Sequence, residues 1–159
     1  MSDRPPKTIP DPDGLNADFY QHLADGTLCL RHCDACGVLH HPPRYLCAAC
    51  GSDDLGWAPA SGKGHIFSWT VTHRPIDPGW APDLPWATVV VQMEEGPRLV
   101  GAWRGADVDV LCLDLPVRVE IEKENDHFAL LYFTPDSTPD STPDFTPSSA
   151  PGEPTSTEV

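Results

Sequence analysis

The chain has 159 residues, 24 of them acidic and 10 basic, giving a formal net charge of −14. That balance disfavours binding to a nucleic-acid backbone by bulk electrostatics, and no apolar run approaches the ~18 residues of a membrane span. The hydrophobic fraction of 40% still supplies a core for one ordinary domain or two small ones.

The first fifteen residues are rich in proline and aspartate and predict an extended lead-in without the apolar stretch of a signal peptide. A short helix is expected over ADFYQHLAD, with Asn16 or Asp18 as its cap, Phe19, Tyr20 and Leu23 on one side and Gly26 ending it. Such a helix is too short to stand alone and must dock on something. TLCLRH then places Leu28 and Leu30 on one face of a strand.

That strand runs into CDACGVLHHPPRYLCAAC, which holds two Cys-x-x-Cys pairs, Cys33/Cys36 and Cys47/Cys50, each followed by a glycine, Gly37 and Gly51. A Cys-x-x-Cys turn aims two thiolates at one metal, and the glycine permits a backbone conformation that side chains resist. Two such knuckles supply the four soft ligands that close a tetrahedral zinc site. Iron in a rubredoxin-like centre uses the same four thiolates and is the alternative metal. Disulfides are disfavoured because the chain lacks secretory features, and the paired thiols point to a reducing, cytoplasmic home. His40 and His41 between the knuckles have ligand chemistry, but four cysteines already fill the coordination sphere. Cys29 and Cys112 lie in apolar runs and are expected to be buried, inert thiols.

After Cys50 the pattern changes to strands separated by turns. SDDLGW is a short strand. HIFSWTVTHR sets Ile66, Ser68, Thr70 and Thr72 against Phe67, Trp69, Val71 and His73 in a long half-buried strand. PIDPGWAPDLP is expected to be a loop with an exposed Trp80, either folded back on the protein or offered to a partner. WATVVVQM, RLVGAWRG, RVEIEKE and FALLYFT complete five strands, with Gly101 marking a bend and ADVDVLCLDLP a connection carrying a turn of helix. Five strands within about seventy residues favour a small closed barrel of the OB type over a sandwich. From Thr134 the repeat TPDS-TPDS-TPDF-TPSS begins. Residues 135–159 carry five acidic and no basic side chains, a composition expected to stay disordered. The predicted organisation is a lead-in and helix over 1–26, a zinc ribbon over 27–58, a mainly β OB-fold barrel over 59–134 and a disordered tail over 135–159.

Helix, four-cysteine ribbon and barrel in this order resemble a family of OB-fold proteins with an N-terminal rubredoxin-like zinc ribbon, associated with acyl-CoA enzymes. The resemblance covers about Phe19 to Pro135 and is carried by FYQHLADGTLCLRHCDACG, PPRYLCAACGSDDLGW, SGKGHIFSWTVTHR and EEGPRLVG. Ala48 stands where members often have proline. The resemblance implies a non-catalytic accessory subunit that docks on a thiolase-like or lipid-transfer-type enzyme, with a hydratase as a further partner. Such complexes act in pathways that shorten sterol or aromatic acyl-CoA chains. The ribbon and barrel would help shape the partner's acyl-CoA channel, the reactive groups belonging to the partner. The residues agree on the last point, because a closed four-cysteine site leaves no position to activate water. His73 and Arg74, before the proline loop, are expected to be a solvated pair, with contact to a ligand phosphate as the sharper reading. Two further functions stay open: a zinc-ribbon/OB nucleic-acid module stacking bases on Trp69, Trp80, Trp86 and Trp103, and a four-cysteine iron electron carrier.

Overall fold

The computed structural model describes residues 7–105 and 107–136; the repeat tail beyond lies outside the described residues, and with it the expectation of disorder. Helix α1 spans Gly14–Ala24. A three-stranded sheet follows in the order β2-β1-β3, from β1 (Cys29–Cys33), β2 (Leu39–His40) and β3 (Leu55–Pro59). Five more strands close a barrel in the order β4-β5-β6-β8-β7: β4 (Lys63–Thr72), β5 (Trp86–Met93), β6 (Arg98–Trp103), β7 (Pro116–Lys123) and β8 (Ala129–Pro135). The mainly β fold with one short helix is therefore as expected. Among the described residues no helix is long and apolar enough to cross a membrane.

The helix starts earlier than the cap residues suggested. Asp13 is the N-cap, its carbonyl accepting from the N–H groups of Asn16 and Ala17, and its side chain makes no capping bond. Docking compensates for the weak start. Phe19 and Leu23 are buried in the common core, Tyr20 stacks on Phe128 at 4.6 Å, and Gln21 Nε2 donates to the Asp126 carbonyl at 3.0 Å. Gly26, at φ +85°, ends the helix as predicted.

The barrel is built on β5, where Ala87, Val89, Val91 and Met93 are buried and the intervening residues face outward. On β4 the strict alternation fails. A bulge between Ile66 and Ser68 inserts one residue, so Ile66 is fully buried, Trp69 and Val71 pack on the core, and Phe67 turns to solvent. Phe67 thus leaves the side on which alternation had grouped it with Trp69 and Val71, and Arg98 lies over its ring at 3.4 Å. The backbone of Ile66 is satisfied by the next connection, its N–H donating to Leu115 O and its carbonyl accepting from Asp114 N. The described residues of that connection, the stretch before β7, form turns and no helix. It buries Leu111 but leaves Cys112 exposed, so the expectation of a buried Cys112 is corrected, while Cys29 is buried as expected. Cys112 is exposed because the segment is anchored by its neighbours' backbone bonds and by Leu111, leaving its own side chain on the outer side of the turn.

The proline segment also differs from a plain loop. Asp77 caps a 3-10 turn over Pro78–Asp83, accepting from Gly79 N at 2.8 Å, with Pro78 at its first position. Trp80 is half-buried rather than exposed, its ring 5.7 Å from that of Trp86. The barrel closes where β8 runs parallel to β6, pairing Ala102 with Tyr132 and Trp103 with Phe133. Gly101 lies at this seam: a Cβ there would stand 2.7 Å from Leu131 O and 2.9 Å from the Phe133 ring.

His41 joins the ribbon to the helix. Its ring packs on Phe19 at 5.0 Å, its Nδ1 is buried without a partner, and burial lowers its pKa to about 4. The unfolded chain, with a histidine near 6.5, then binds the extra proton. The stability linked to His41 is fully present above pH ~6.5 and declines on acidification toward pH 4, by on the order of 1 kcal/mol per pH unit. Urea midpoints between pH 7 and 4.5 should fall less steeply for His41→Leu than for the native chain; equal slopes would refute this.

Candidate metal centre

The four cysteines converge because each knuckle repeats one local design. Gly37 N donates to Cys33 O at 2.8 Å and Gly51 N to Cys47 O at 2.9 Å, both glycines at φ +76°. The N–H of Cys33 bonds Val38 O and that of Cys47 bonds Ser52 O. Strand β1 carries Cys33 into the first knuckle, and β3 starts just after the second. Cys33 and Cys47 are buried, Cys36 and Cys50 exposed.

The four sulfurs lie within 4.8 Å of one another, and Cys33–Cys50 and Cys36–Cys47 are each 3.6 Å apart. A tetrahedron with Zn–S near ~2.3 Å has edges of about 3.8 Å, whereas a disulfide needs about 2.05 Å. The cysteines are therefore positioned to bind one metal ion. The electrostatics point the same way. Cys47 is drawn down to about 5: desolvation opposes its ionisation, but the N–H groups of Cys50 and Ala49, then His40 and Cys36, outweigh it. Cys36 is pushed up to about 12: the Val38 N–H favours its thiolate, but Cys50, desolvation and the other two thiols together outweigh that. Four thiolates this close coexist only around a cation.

Sequence reasoning considered His40 only as a ligand and missed what it does. The ring is buried, with Nε2 3.3 Å from Cys47 Sγ. In the tautomer protonated at Nε2 it donates to the sulfur, orienting the ligand and stabilising its charge. Ala49 N reaches the same sulfur at 3.4 Å. His40→Phe should weaken metal affinity about 10–100-fold, measured by competition with a chromophoric chelator; unchanged affinity would limit the ring to packing. His73 and Arg74 are exposed beyond the end of β4. Of the four tryptophans proposed to stack bases, Trp69 and Trp103 are instead packed with the core.

A metal-binding ribbon fused to a closed five-stranded barrel places the chain in the class of zinc-ribbon/OB-fold proteins. Residues 21–56 match the "ChsH2, rubredoxin-like zinc ribbon domain" and residues 57–122 the "ChsH2, C-terminal OB-fold domain". In the solved structure titled "Ltp2-ChsH2(DUF35) aldolase", one chain is 30% identical, with a TM-score of 0.72 over 80% of this chain and 98% of that one. The chain belongs to the ChsH2 (DUF35) family of zinc-ribbon/OB-fold proteins. It is 28% identical over 138 residues to a "probable enoyl-CoA hydratase alpha subunit" of Thermomonospora curvata, covering 85% of this chain and 43% of the relative. Over 108 residues it is 37% identical to the "3-oxo-4,17-pregnadiene-20-carboxyl-CoA hydratase alpha subunit" of Mycobacterium tuberculosis, covering 67% of this chain and 30% of the relative. The chain thus spans less than half the length of either hydratase subunit.

Proposed function

We propose that this protein is a non-catalytic accessory subunit that docks on an acyl-CoA enzyme of the thiolase type, a lipid-transfer-type aldolase first among them. The observation that carries the reading is the likeness across 98% of a chain from a structure titled as an Ltp2-ChsH2(DUF35) aldolase. The hydratase subunits among its relatives support a hydratase as a further partner and a steroid-derived acyl-CoA as the substrate class. A contact between this chain and the partner's acyl-CoA belongs to the same proposal.

Cys33, Cys36, Cys47 and Cys50 are the proposed ligands of one zinc ion. The donor set fits, since all four are free thiols at tetrahedral spacing. Bound zinc would supply a covalent-strength cross-link between the knuckles, with no open position for water. The chain's own residues hold the ribbon against the helix, where Trp57 of β3 packs 5.1 Å from the His22 ring and Arg31 lies 5.1 Å from the centre of the Trp57 ring; Leu28 and Leu30 share one core with the barrel's Ile66 and Val89. Helix, ribbon and barrel sharing one core would present themselves to a partner as one docking unit, with the chemistry proposed to lie in the partner.

Co-expression with a thiolase-type enzyme encoded beside it, followed by size exclusion, tests the reading. The expected result is one co-eluting complex whose acyl-CoA turnover exceeds that of the enzyme alone. Separate elution from both thiolase-type and hydratase candidates would overturn it.

A further inference from the structure

A groove of about 880 Å³ runs along the outside of the barrel. Its floor follows from strand register: Thr88 faces Ala102, and Ala102 faces Tyr132, so small outward side chains adjoin a large ring. Trp80 and Trp86 wall one side. On the other, Arg104 lies over the Tyr132 ring at 3.6 Å and pairs with Glu120 and Glu122.

The charges lining this groove select its ligand. Among the described residues, Asp83, Asp107 and Glu122 contribute three carboxylates against two cations, Lys7 and Arg104. Both cations are already paired, Lys7 with Asp83 and Arg104 with its two glutamates. A phosphate would meet surplus negative charge, whereas an organic cation would meet carboxylates and aromatic faces together. The chain supplies such a cation itself. Lys7 Nζ sits 3.9 Å from the centre of the Trp80 ring and 3.1 Å from Asp83 Oδ2. The adjoining backbone is recognised too, because Thr8 N donates to Asp77 Oδ2 at 3.0 Å. A free polyamine has no amide N–H for Asp77, but a peptide does.

We propose that this groove is a docking site for a lysine-bearing extended segment of a partner protein, and that Lys7 and Thr8 are its intramolecular occupants. The charge of the chain favours such a partner: residues 1–134 hold 19 acidic and 10 basic side chains, a field that draws basic surfaces and orients them on approach. The groove is partly open to solvent and residues 7–8 belong to no strand of the barrel, so the incoming segment takes their place without unfolding it. Trp80, on its proline-stiffened turn, becomes the anchor of the contact. The identity of the partner rests on the accessory-subunit reading; the recognition chemistry does not.

The test uses the full chain carrying Lys7→Ala and a fluorescein-labelled, N-acetylated peptide PPKTIP, which copies residues 5–10. Fluorescence polarisation should show at least about fivefold tighter binding to the Lys7→Ala chain than to the native chain, in which the tethered lysine competes at high effective concentration. A peptide with norleucine in place of lysine should bind at least about fivefold more weakly, given the loss of both the ion pair and the cation–π contact. Asp83→Asn and Trp80→Leu, each added to Lys7→Ala and checked by thermal melting, should each reduce binding by a similar factor; Asp83→Asn decides if Trp80→Leu does not fold. No binding of PPKTIP to the folded Lys7→Ala chain, or equal binding of the norleucine peptide, overturns the proposal. Displacement of the peptide by spermidine at equal affinity also overturns it, because the site would then be one for small cations. None of these outcomes alters co-elution with an acyl-CoA enzyme, so the two readings fail separately.

Discussion

Cys36→Ser is expected to release the metal and unfold the ribbon while the barrel strands remain paired. Apart from Leu30 and Trp57, which pack with the common core and the helix, the two knuckles have little else to hold them. The ribbon's sheet has strands of five, two and five residues, and Val38, Tyr45 and Leu46 on its loops are exposed. Structural zinc in small modules supplies about 10–16 kcal/mol of apparent binding free energy at neutral pH, which is also folding free energy. That is comparable to the ~5–15 kcal/mol stability of a whole domain. Loss of one thiolate from a set whose sulfurs lie within 4.8 Å therefore removes most of what orders the two knuckles. Elemental analysis should find one zinc per native chain and far less in the variant, with amide resonances of residues 29–59 collapsing while those of β5 and β8 persist. A native chain that is folded without zinc or iron would refute the metal's role, and a coloured protein containing iron would reassign the metal.

The second large effect is expected at the barrel seam. Phe133 is fully buried, on the strand that closes the barrel in parallel with β6. Phe133→Ala should cost about 3–5 kcal/mol from lost transfer energy and the cavity left behind, lowering the melting temperature by roughly 10–20 °C. Gly101→Ala fails for the opposite reason, since its new methyl would press on Leu131 O and on the Phe133 ring. Overpacking of this kind costs about 1–3 kcal/mol. Removing the ring relieves one of those two collisions and leaves the carbonyl. The double variant should therefore be more stable than the sum of the single effects predicts, by at least about 0.5 kcal/mol. Strict additivity in denaturant melts would show that the glycine is required by the backbone alone.

The positive φ of Gly37 and Gly51 and the five strand segments were legible because each follows from local chemistry: thiol spacing, a glycine where side chains are strained, and period-two burial as on β5. The misreadings have one cause, competition between local pattern and packing. Alternation on β4 held until the bulge after Ile66, where Leu115 and Asp114 take the Ile66 backbone bonds. Cys112 lies in a run as apolar as a strand, yet Leu111 is buried and Val108 and Leu115 pack on the core while Cys112 and Leu113 face outward. Trp80 had no periodicity to place it, and its position depends on Lys7, 73 residues earlier in the chain, and on Trp86.

By itself the sequence determined the convergence of the four cysteines, the succession of short helix, cysteine-bearing strands and barrel strands, and the acidic character of the whole, because these depend on residue types a few positions apart. Only the tertiary structure decided that His40 Nε2 lies 3.3 Å from Cys47 Sγ, that burial beside Phe19 lowers the pKa of His41, and that Lys7 rests on Trp80 in an aromatic groove. Those facts rest on side chains brought together across the fold. A hydrogen bond, a burial cost or a cation–π contact depends on distances that spacing along the chain does not set.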